Sequence, residues 1–105
     1  MIPESQWEWL GTAGHLVVAR RCRFHLHTHV GRRCISTVGE WHPRGSYDPK
    51  IEEVGAGRLY ETMVFDLDGG ENRWAEIDFE GYNDEQEAER GHMRMCREYA
   101  EEETA

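Results

Sequence analysis

The feature that most constrains the fold is a pair of nine-residue runs, CRFHLHTHV (22–30) and RCISTVGEW (33–41), joined by the dipeptide GR. Both runs alternate with a period of two, which is typical of β-strands whose two sides face different surroundings. A two-residue connection that contains glycine is typical of a tight β-hairpin. The sequence therefore predicts an antiparallel hairpin in which His29 lies opposite Cys34.

This register assigns the side chains of the hairpin to two faces. The face that we expect to form the core carries Cys22, Phe24, Leu26, Thr28 and Val30 beside Ile35, Thr37 and Trp41. The other face carries Arg23, His25, His27 and His29 beside Cys34, Ser36, Val38 and Glu40. We expect this second face to be solvated, with an ordinary cross-strand ion pair between Arg23 and Glu40.

Further alternating or apolar segments predict the rest of the sheet. They are a short edge strand or an ordered arm around Trp7 and Trp9, a strand over 15–20, an interior strand over 58–67 and a strand over 73–82. A loop over 42–57 and a turn over 68–72 separate them. In the last strand, we expect Ala75, Ile77 and Phe79 to face the core, and Glu76, Asp78 and Glu80 to face solvent.

The period then changes to that of a helix from Asp84 to about Glu102. Asn83 is expected to be its N-cap, and Gln86 at the third position completes a pattern like a capping box. One stripe of this helix carries Ala88, Gly91, His92, Met95, Cys96 and Tyr99. Glycine within that stripe predicts a close approach of the helix to another element.

Together these elements predict an α+β fold, an antiparallel sheet of four to five strands with one C-terminal helix packed on it. A length of 105 residues fits a single domain over 1–105. The acidic end of the helix, 101–105, is expected to fray, because its charges lie at the negative end of the helix dipole. No apolar run approaches the ~18 residues that cross a membrane, so no membrane association is predicted.

Three cysteines without a CxxC pattern favour free thiols in a reduced, cytosolic protein over a disulfide scaffold.

The net charge of −9 is concentrated in the second half of the chain, and residues 15–50 are basic. The two halves are expected either to fold onto each other or to leave an acidic face for a basic partner. The sequence pI near 5.1 argues against direct nucleic-acid binding.

The candidate acidic interface consists of five carboxylates at the end of the last strand and the start of the helix. They are Glu76, Asp78, Glu80, Asp84 and Glu87. Carboxylates on one strand face are separated by about 6.6 Å, a distance similar to that between phosphates along one DNA strand. The stripe is therefore expected either to mimic DNA towards a basic groove or to be the wet side of a one-faced sheet.

The histidines of the hairpin raise the hypothesis of a metal site. Cross-strand neighbours have Cβ atoms roughly 5 Å apart, so His27, His29 and Cys34 can share one zinc ion. The alternative is a solvated polar face that binds nothing.

A second pair, His92 and Cys96, has helical i, i+4 spacing, but its stripe predicts two ordinary core residues. None of the common hydrolase, nucleotide-binding or metalloprotease motifs occurs, so no catalytic residue is assigned.

Six blocks follow one another in a specific order along the chain. They are WEWLGTAGH (7–15), CRFHL (22–26), STVGEW (36–41), YETMVF (60–65), FEGYND (79–84) and EAERGHM (87–93). In these blocks, which cover 39 of the 105 residues, the sequence resembles a family of short, uncharacterised proteins encoded by bacteriophages of actinobacteria and other high-GC hosts. The resemblance implies a phage or prophage origin and a protein in the cytoplasm of an infected cell. It brings no assigned activity.

The resemblance also marks residues of unknown role inside the family's blocks, namely Cys22, His25, Glu61, Thr62, Asn83 and His92. The sequence thus predicts a non-enzymatic phage accessory protein, without a cofactor, that binds and modulates a host protein. An inhibitor of an anti-phage defence system, of the anti-CRISPR type, is one specific form. The alternatives are a zinc-binding protein or small metallo-hydrolase that uses the hairpin cluster, and a homodimer held by its basic and acidic halves.

Overall fold

A computed structural model describes residues 1–11, 15, 21–44, 50–55, 57–68, 70–72 and 74–102. It contains β1 (Glu8–Leu10), β2 (Cys22–Val30), β3 (Arg33–Trp41), β4 (Tyr60–Asp66), β5 (Ala75–Tyr82) and α1 (Glu85–Glu102). Single turns of 3-10 helix lie at Glu4–Gln6 and Gly70–Asn72. The strands form one antiparallel sheet in the order β1-β2-β3-β4-β5, with α1 packed on it, which confirms the α+β prediction. The predicted strand residues 16–20 and the chain end at 103–105 fall outside the described residues.

The β2–β3 hairpin has the predicted register. Val30 pairs with Arg33 and His29 pairs with Cys34. Gly31 in the turn has a φ of 59°, a left-handed conformation that favours glycine and matches the twist of a two-residue hairpin. β1 is an edge strand and β4 is interior, as predicted.

Helix α1 crosses the sheet on the face that carries Thr28, Ile35 and Val64, which we call the helix face. Its predicted stripe is buried there, together with Ala100. The apolar core beneath it consists of Ile2, Trp7, Val30, Ile35, Val64, Met95, Cys96, Tyr99 and Ala100. Within the described ranges, no helix has both the length and the apolarity that a membrane span needs.

The N-cap of α1 is Asp84, so the prediction of Asn83 is wrong. One carboxylate oxygen of Asp84 accepts hydrogen bonds from the backbone N–H groups of Gln86 and Glu87. The backbone carbonyl of Asp84 accepts a hydrogen bond from the N–H of Ala88. A carboxylate at this end also interacts favourably with the helix dipole. The Asn83 side chain instead accepts a hydrogen bond from the backbone N–H of Leu59.

The face of the sheet opposite α1, which we call the second face, is not solvated as predicted. His27, Cys34, Ser36, Val38 and Glu61 are all buried on it. Every residue of β3 from Cys34 to Glu40 is buried, because β3 is the central strand and both of its sides are covered. His15 contributes to this cover, since its ring lies against Phe65 and its Nδ1 lies 2.8 Å from Ser36 Oγ.

The predicted orientation of β5 is also wrong. Ile77 and Phe79 remain 44% and 43% exposed, and Ala75 is exposed as well. Asp78 and Glu80 face α1 instead, where Asp78 accepts a hydrogen bond of 2.7 Å from the Tyr99 hydroxyl. Alternation alone cannot say which side of a strand is inward when the helix that covers it carries polar partners.

His92 joins α1 to the sheet through a buried polar network. Its Nε2 lies 2.8 Å from the Thr28 hydroxyl and its Nδ1 lies 2.7 Å from that of Thr37. Thr37 also bonds Thr62, which accepts a hydrogen bond from the Tyr82 hydroxyl. A neutral imidazole has one donor and one acceptor nitrogen, so the two threonines satisfy it fully. Burial, together with the nearby His27, lowers the pKa of His92 from 6.5 to about 4.

We expect Gly91→Ala to destabilise the protein. A Cβ at this position would lie 2.2 Å from the Tyr82 hydroxyl oxygen, so the helix or the ring must move. Such overpacking costs roughly 1–3 kcal/mol, which outweighs the gain of up to ~1 kcal/mol in helix propensity. Urea unfolding measures the difference. Glu89→Ala, on the exposed side of the same helix, is the control, and equal stability of the two variants would contradict the close approach.

The depressed pKa of His92 predicts a specific loss of stability in acid. The folded pKa lies below the unfolded one, so the stabilisation is complete above about pH 6.5 and is lost as pH falls towards 4. From neutral pH to about pH 5, the wild type should lose ~2 kcal/mol more than His92→Gln, whose amide stays neutral. Urea unfolding at both pH values tests this. His25→Ala, which removes an exposed histidine, should keep the wild-type pH dependence; identical losses in wild type and His92→Gln would refute the assignment.

Candidate metal centre

Three potential metal ligands converge on the second face at the end of the hairpin. His27 and His29 alternate along β2, so both side chains leave the strand on this side. Cys34 is the cross-strand partner of His29 and reaches the same place from β3. One ligand atom from each of the three residues lies within 4.8 Å of the other two. The hairpin register alone brings this set together.

The contacts within the set are close. His27 Nε2 lies 3.0 Å from His29 Nε2 and 3.0 Å from Cys34 Sγ. The two rings meet nearly edge to face, with centroids 4.7 Å apart. Since two unprotonated ring nitrogens repel each other, this arrangement needs either a proton or a cation between the rings. A metal ion fits this need because it accepts lone pairs from all three atoms at once.

The site lies at the boundary between the protein interior and solvent. His27 is 5% exposed and Cys34 is fully buried, whereas His29 is half-buried. Burial raises the pKa of the Cys34 thiol to about 12. Burial also lowers the pKa of His29, and the negative charge of Glu8 opposes this effect. Without a cation nearby, Cys34 is therefore a neutral thiol, and it is too enclosed to act as a nucleophile on a substrate.

The distances are compatible with a tetrahedral zinc ion. Zn–N bonds of about 2.05 Å and a Zn–S bond of about 2.3 Å place the ligand atoms about 3.3 Å (N to N) and about 3.6 Å (N to S) apart. The observed 3.0 Å separations from His27 Nε2 must therefore open by about 0.3 Å to His29 Nε2 and by about 0.6 Å to Cys34 Sγ. Side-chain rotation supplies such a change without any movement of the strands.

Aromatic rings flank the exposed side of the cluster. The Trp74 ring lies 6.4 Å from the His29 ring and 5.8 Å from that of Phe65, measured between centroids. The backbone of Trp74 is left-handed, with a φ of 72°, a conformation that costs energy in a residue with a large side chain. The sheet holds this conformation partly through a 2.7 Å hydrogen bond from the Trp74 N–H to the Asp66 carbonyl.

A second polar constellation on the same face was missed by the sequence analysis. His15 Nδ1 lies 2.8 Å from Ser36 Oγ, and His15 Nε2 lies 3.3 Å from a Glu61 carboxylate oxygen without forming a hydrogen bond. All three residues are buried, so no nucleophile is presented to solvent. Ser36 is the cross-strand partner of His27, which makes this constellation a direct neighbour of the cluster. His15 is isolated in the sequence, and no pattern there signals the contact.

The five residues of the predicted acidic interface do not form one surface. Asp78 and Glu80 face α1, and Glu80 is paired with Arg94. A bulge between Val64 and Phe65 places Glu76 opposite Phe65, whose ring lies on the second face. Asp84 caps α1, and Glu87 is exposed in its first turn. The spacing along β5 gave no sign of the bulge that separates Glu76 from the next two carboxylates.

The remaining residues that the sequence singled out, among them His92, His25 and Cys22, lie outside the cluster. Both ring nitrogens of His92 are hydrogen-bonded to threonines, so neither nitrogen has a free lone pair for a metal ion that Cys96 would also bind. His25 is exposed opposite Val38, on the same strand as the cluster but away from it. Cys22 is buried, and burial followed by the charge of Glu61 raises the pKa of its thiol to about 11. All three cysteines are free thiols.

No protein-family model matches the chain, and neither a curated protein nor a solved structure matches it. The relation to phage proteins therefore stays a prediction from the sequence blocks. A function can therefore be proposed only from the positions and contacts of the side chains.

Proposed function

We propose that this protein binds a divalent transition-metal ion, zinc in the first place, through His27, His29 and Cys34. The observation that carries the proposal is the convergence of two imidazole nitrogens and one thiol sulfur within 4.8 Å of one another. The register of the β2–β3 hairpin is sufficient to bring these three donors together.

The donor set favours zinc over harder cations. Calcium and magnesium prefer oxygen ligands, whereas zinc combines cysteine sulfur with histidine nitrogen. A bound metal replaces the thiol proton of Cys34, and the positive charge offsets the burial of the thiolate. The ion would also remove the unfavourable approach of two ring lone pairs. Its role is then to fasten β2 to β3 near the turn of the hairpin.

The proposed function is binding and not catalysis. A hydrolytic zinc site needs an open coordination position that substrate can reach, and a group that handles protons beside it. The neighbouring His15, Ser36 and Glu61 are buried. A metal that links two strands in such surroundings acts as a structural or regulatory element.

The test is the metal content of protein that is purified without a histidine tag. We expect about one zinc ion per chain by elemental analysis, because three side-chain ligands from one hairpin define one tetrahedral site. Cys34→Ser and His29→Ala should lower the zinc affinity by at least about 10-fold. The matched control is His25→Ala, which removes an exposed histidine two residues from His27 on the same strand. Absence of zinc in the wild type, or equal loss in the control, would contradict the proposal.

A second candidate function is the predicted binding of a host protein, for which edge strand β5 is the surface we propose. β5 pairs only with β4 in the described sheet. It exposes two large apolar side chains, Ile77 and Phe79, and the nearby carboxylate of Glu76. Edge strands that expose apolar side chains are prone to pair with another chain, and the carboxylate favours a partner with a basic surface. An anti-defence inhibitor is one protein class that such a surface suits.

Capture from a host-cell lysate tests this second function. A partner that binds saturably to the wild type should bind Phe79→Ser at least about 10-fold more weakly, as expected for an interface anchor. Ile51→Ser is the matched control, because Ile51 is also an exposed apolar residue but lies outside β5. Equal capture by both variants would place the interface elsewhere. Light scattering at low and high salt separates binding of a partner from self-association.

A further inference from the structure

The three proposed ligands leave the fourth position of a tetrahedral ion unassigned. His27 and Cys34 are buried, so the uncovered side of the cluster is the side of His29, which is half-buried. The next strand on that side is β1. In its register Glu8 lies opposite His29, and Leu10 lies opposite His27. Directly paired residues project from the same face of a sheet, so the Glu8 side chain stands beside His29 on the second face.

We propose that Glu8 is the fourth ligand, which makes the site a closed Cys-His₂-Glu centre spread over β1, β2 and β3. The inference rests on the proposed zinc function and deepens it. Glu8, His29 and Cys34 form one cross-strand row, in which each residue is the direct partner of the next. Adjacent members of such a row have Cβ atoms about 5 Å apart, within reach of a common ion.

The electrostatics of the site favour the same ligand. A zinc ion held by one thiolate and two neutral imidazoles carries a net charge of +1, which is costly at a half-buried position. A carboxylate as the fourth ligand brings this charge to zero. Glu8 itself is exposed and free to rotate towards the ion.

Other carboxylates on the second face are less well placed. Glu76 belongs to the same cross-strand row, but Phe65 stands between it and Cys34. Strands are about 4.8 Å apart, so Glu76 is two strands from Cys34, whereas Glu8 is one strand from His29. Glu61 lies opposite Val38 and Gly81, further along the strands, with His15 beside it.

A fourth ligand on β1 ties the N-terminal edge strand to the hairpin. β1 is three residues long and pairs only with β2 in the described sheet, so few backbone hydrogen bonds hold it. A metal bridge from Glu8 to the cluster would fix its register and leave no coordination position for substrate. The metal then stabilises the fold and has no catalytic water.

The experiment compares Glu8→Gln with Glu4→Gln in the full chain, with Zn²⁺ and Co²⁺ as probes. Both variants remove one exposed negative charge from the N-terminal segment, but Glu4 lies in the 3-10 turn and outside the sheet. Competition with a chelator gives the zinc affinity. The visible absorption of Co²⁺ reports thiolate ligation and its intensity reports the number of ligands. Thermal unfolding with and without zinc gives the metal-dependent stabilisation.

For Glu8→Gln we expect about a 10–100-fold loss of zinc affinity, a changed Co²⁺ spectrum and a smaller thermal shift with zinc. Glu4→Gln should match the wild type in all three, and Glu8→His, which restores a ligand, should recover the affinity. If Glu8→Gln binds both ions as the wild type does, the fourth ligand is not Glu8, although the three-ligand site still stands. If the wild type binds neither ion, both the inference and the proposed function fail.

Discussion

The register of the β2–β3 hairpin is the constraint on which the other features depend. Because side chains alternate with a period of two, a slip by one residue would exchange the two faces of both strands. In the observed register Thr28 and Thr37 lie under α1, where they receive His92. The same register places His27, His29 and Cys34 together on the second face. The helix anchor and the candidate metal centre are therefore two consequences of one pairing.

His92 on the helix face and His27 on the second face have different neighbours. His92 has a hydroxyl partner at each ring nitrogen, so it is a satisfied neutral residue whose burial costs little near neutral pH. On the second face, His27 has a ring nitrogen and a thiol as its neighbours, both 3.0 Å away. Two imidazole nitrogens and a thiol sulfur that converge on one another are typical of a ligand set for a cation. This contrast is why we assign a structural role to His92 and propose a binding role for His27 and His29.

The two proposed activities use opposite edges of the sheet. β1, at one edge, carries the carboxylate that would complete the metal centre, and β5, at the other, exposes Ile77 and Phe79. Both edges border the same second face, with the Phe65 and Trp74 rings between them. A metal that fixes β1 leaves β5 open, so metal binding and partner binding are compatible in one molecule. Asp78 and Glu80 lie on the helix face, where they hold α1 to the sheet through Tyr99 and Arg94.

Much of the fold could be predicted from the sequence, because its main signals are local. Alternation, the Gly31 turn and the helical stripe determined the hairpin, its register, the interior position of β4 and the extent of α1. The pair His29–Cys34 followed from the turn alone. Only the tertiary structure decided what lies against each face. Asp78 faces inward because α1 supplies it with a polar partner, whereas the bulge in β4–β5 moves Glu76 to the second face. His15 reaches the second face from a distant part of the chain. Such contacts depend on how separate segments meet in space, and no local period encodes them.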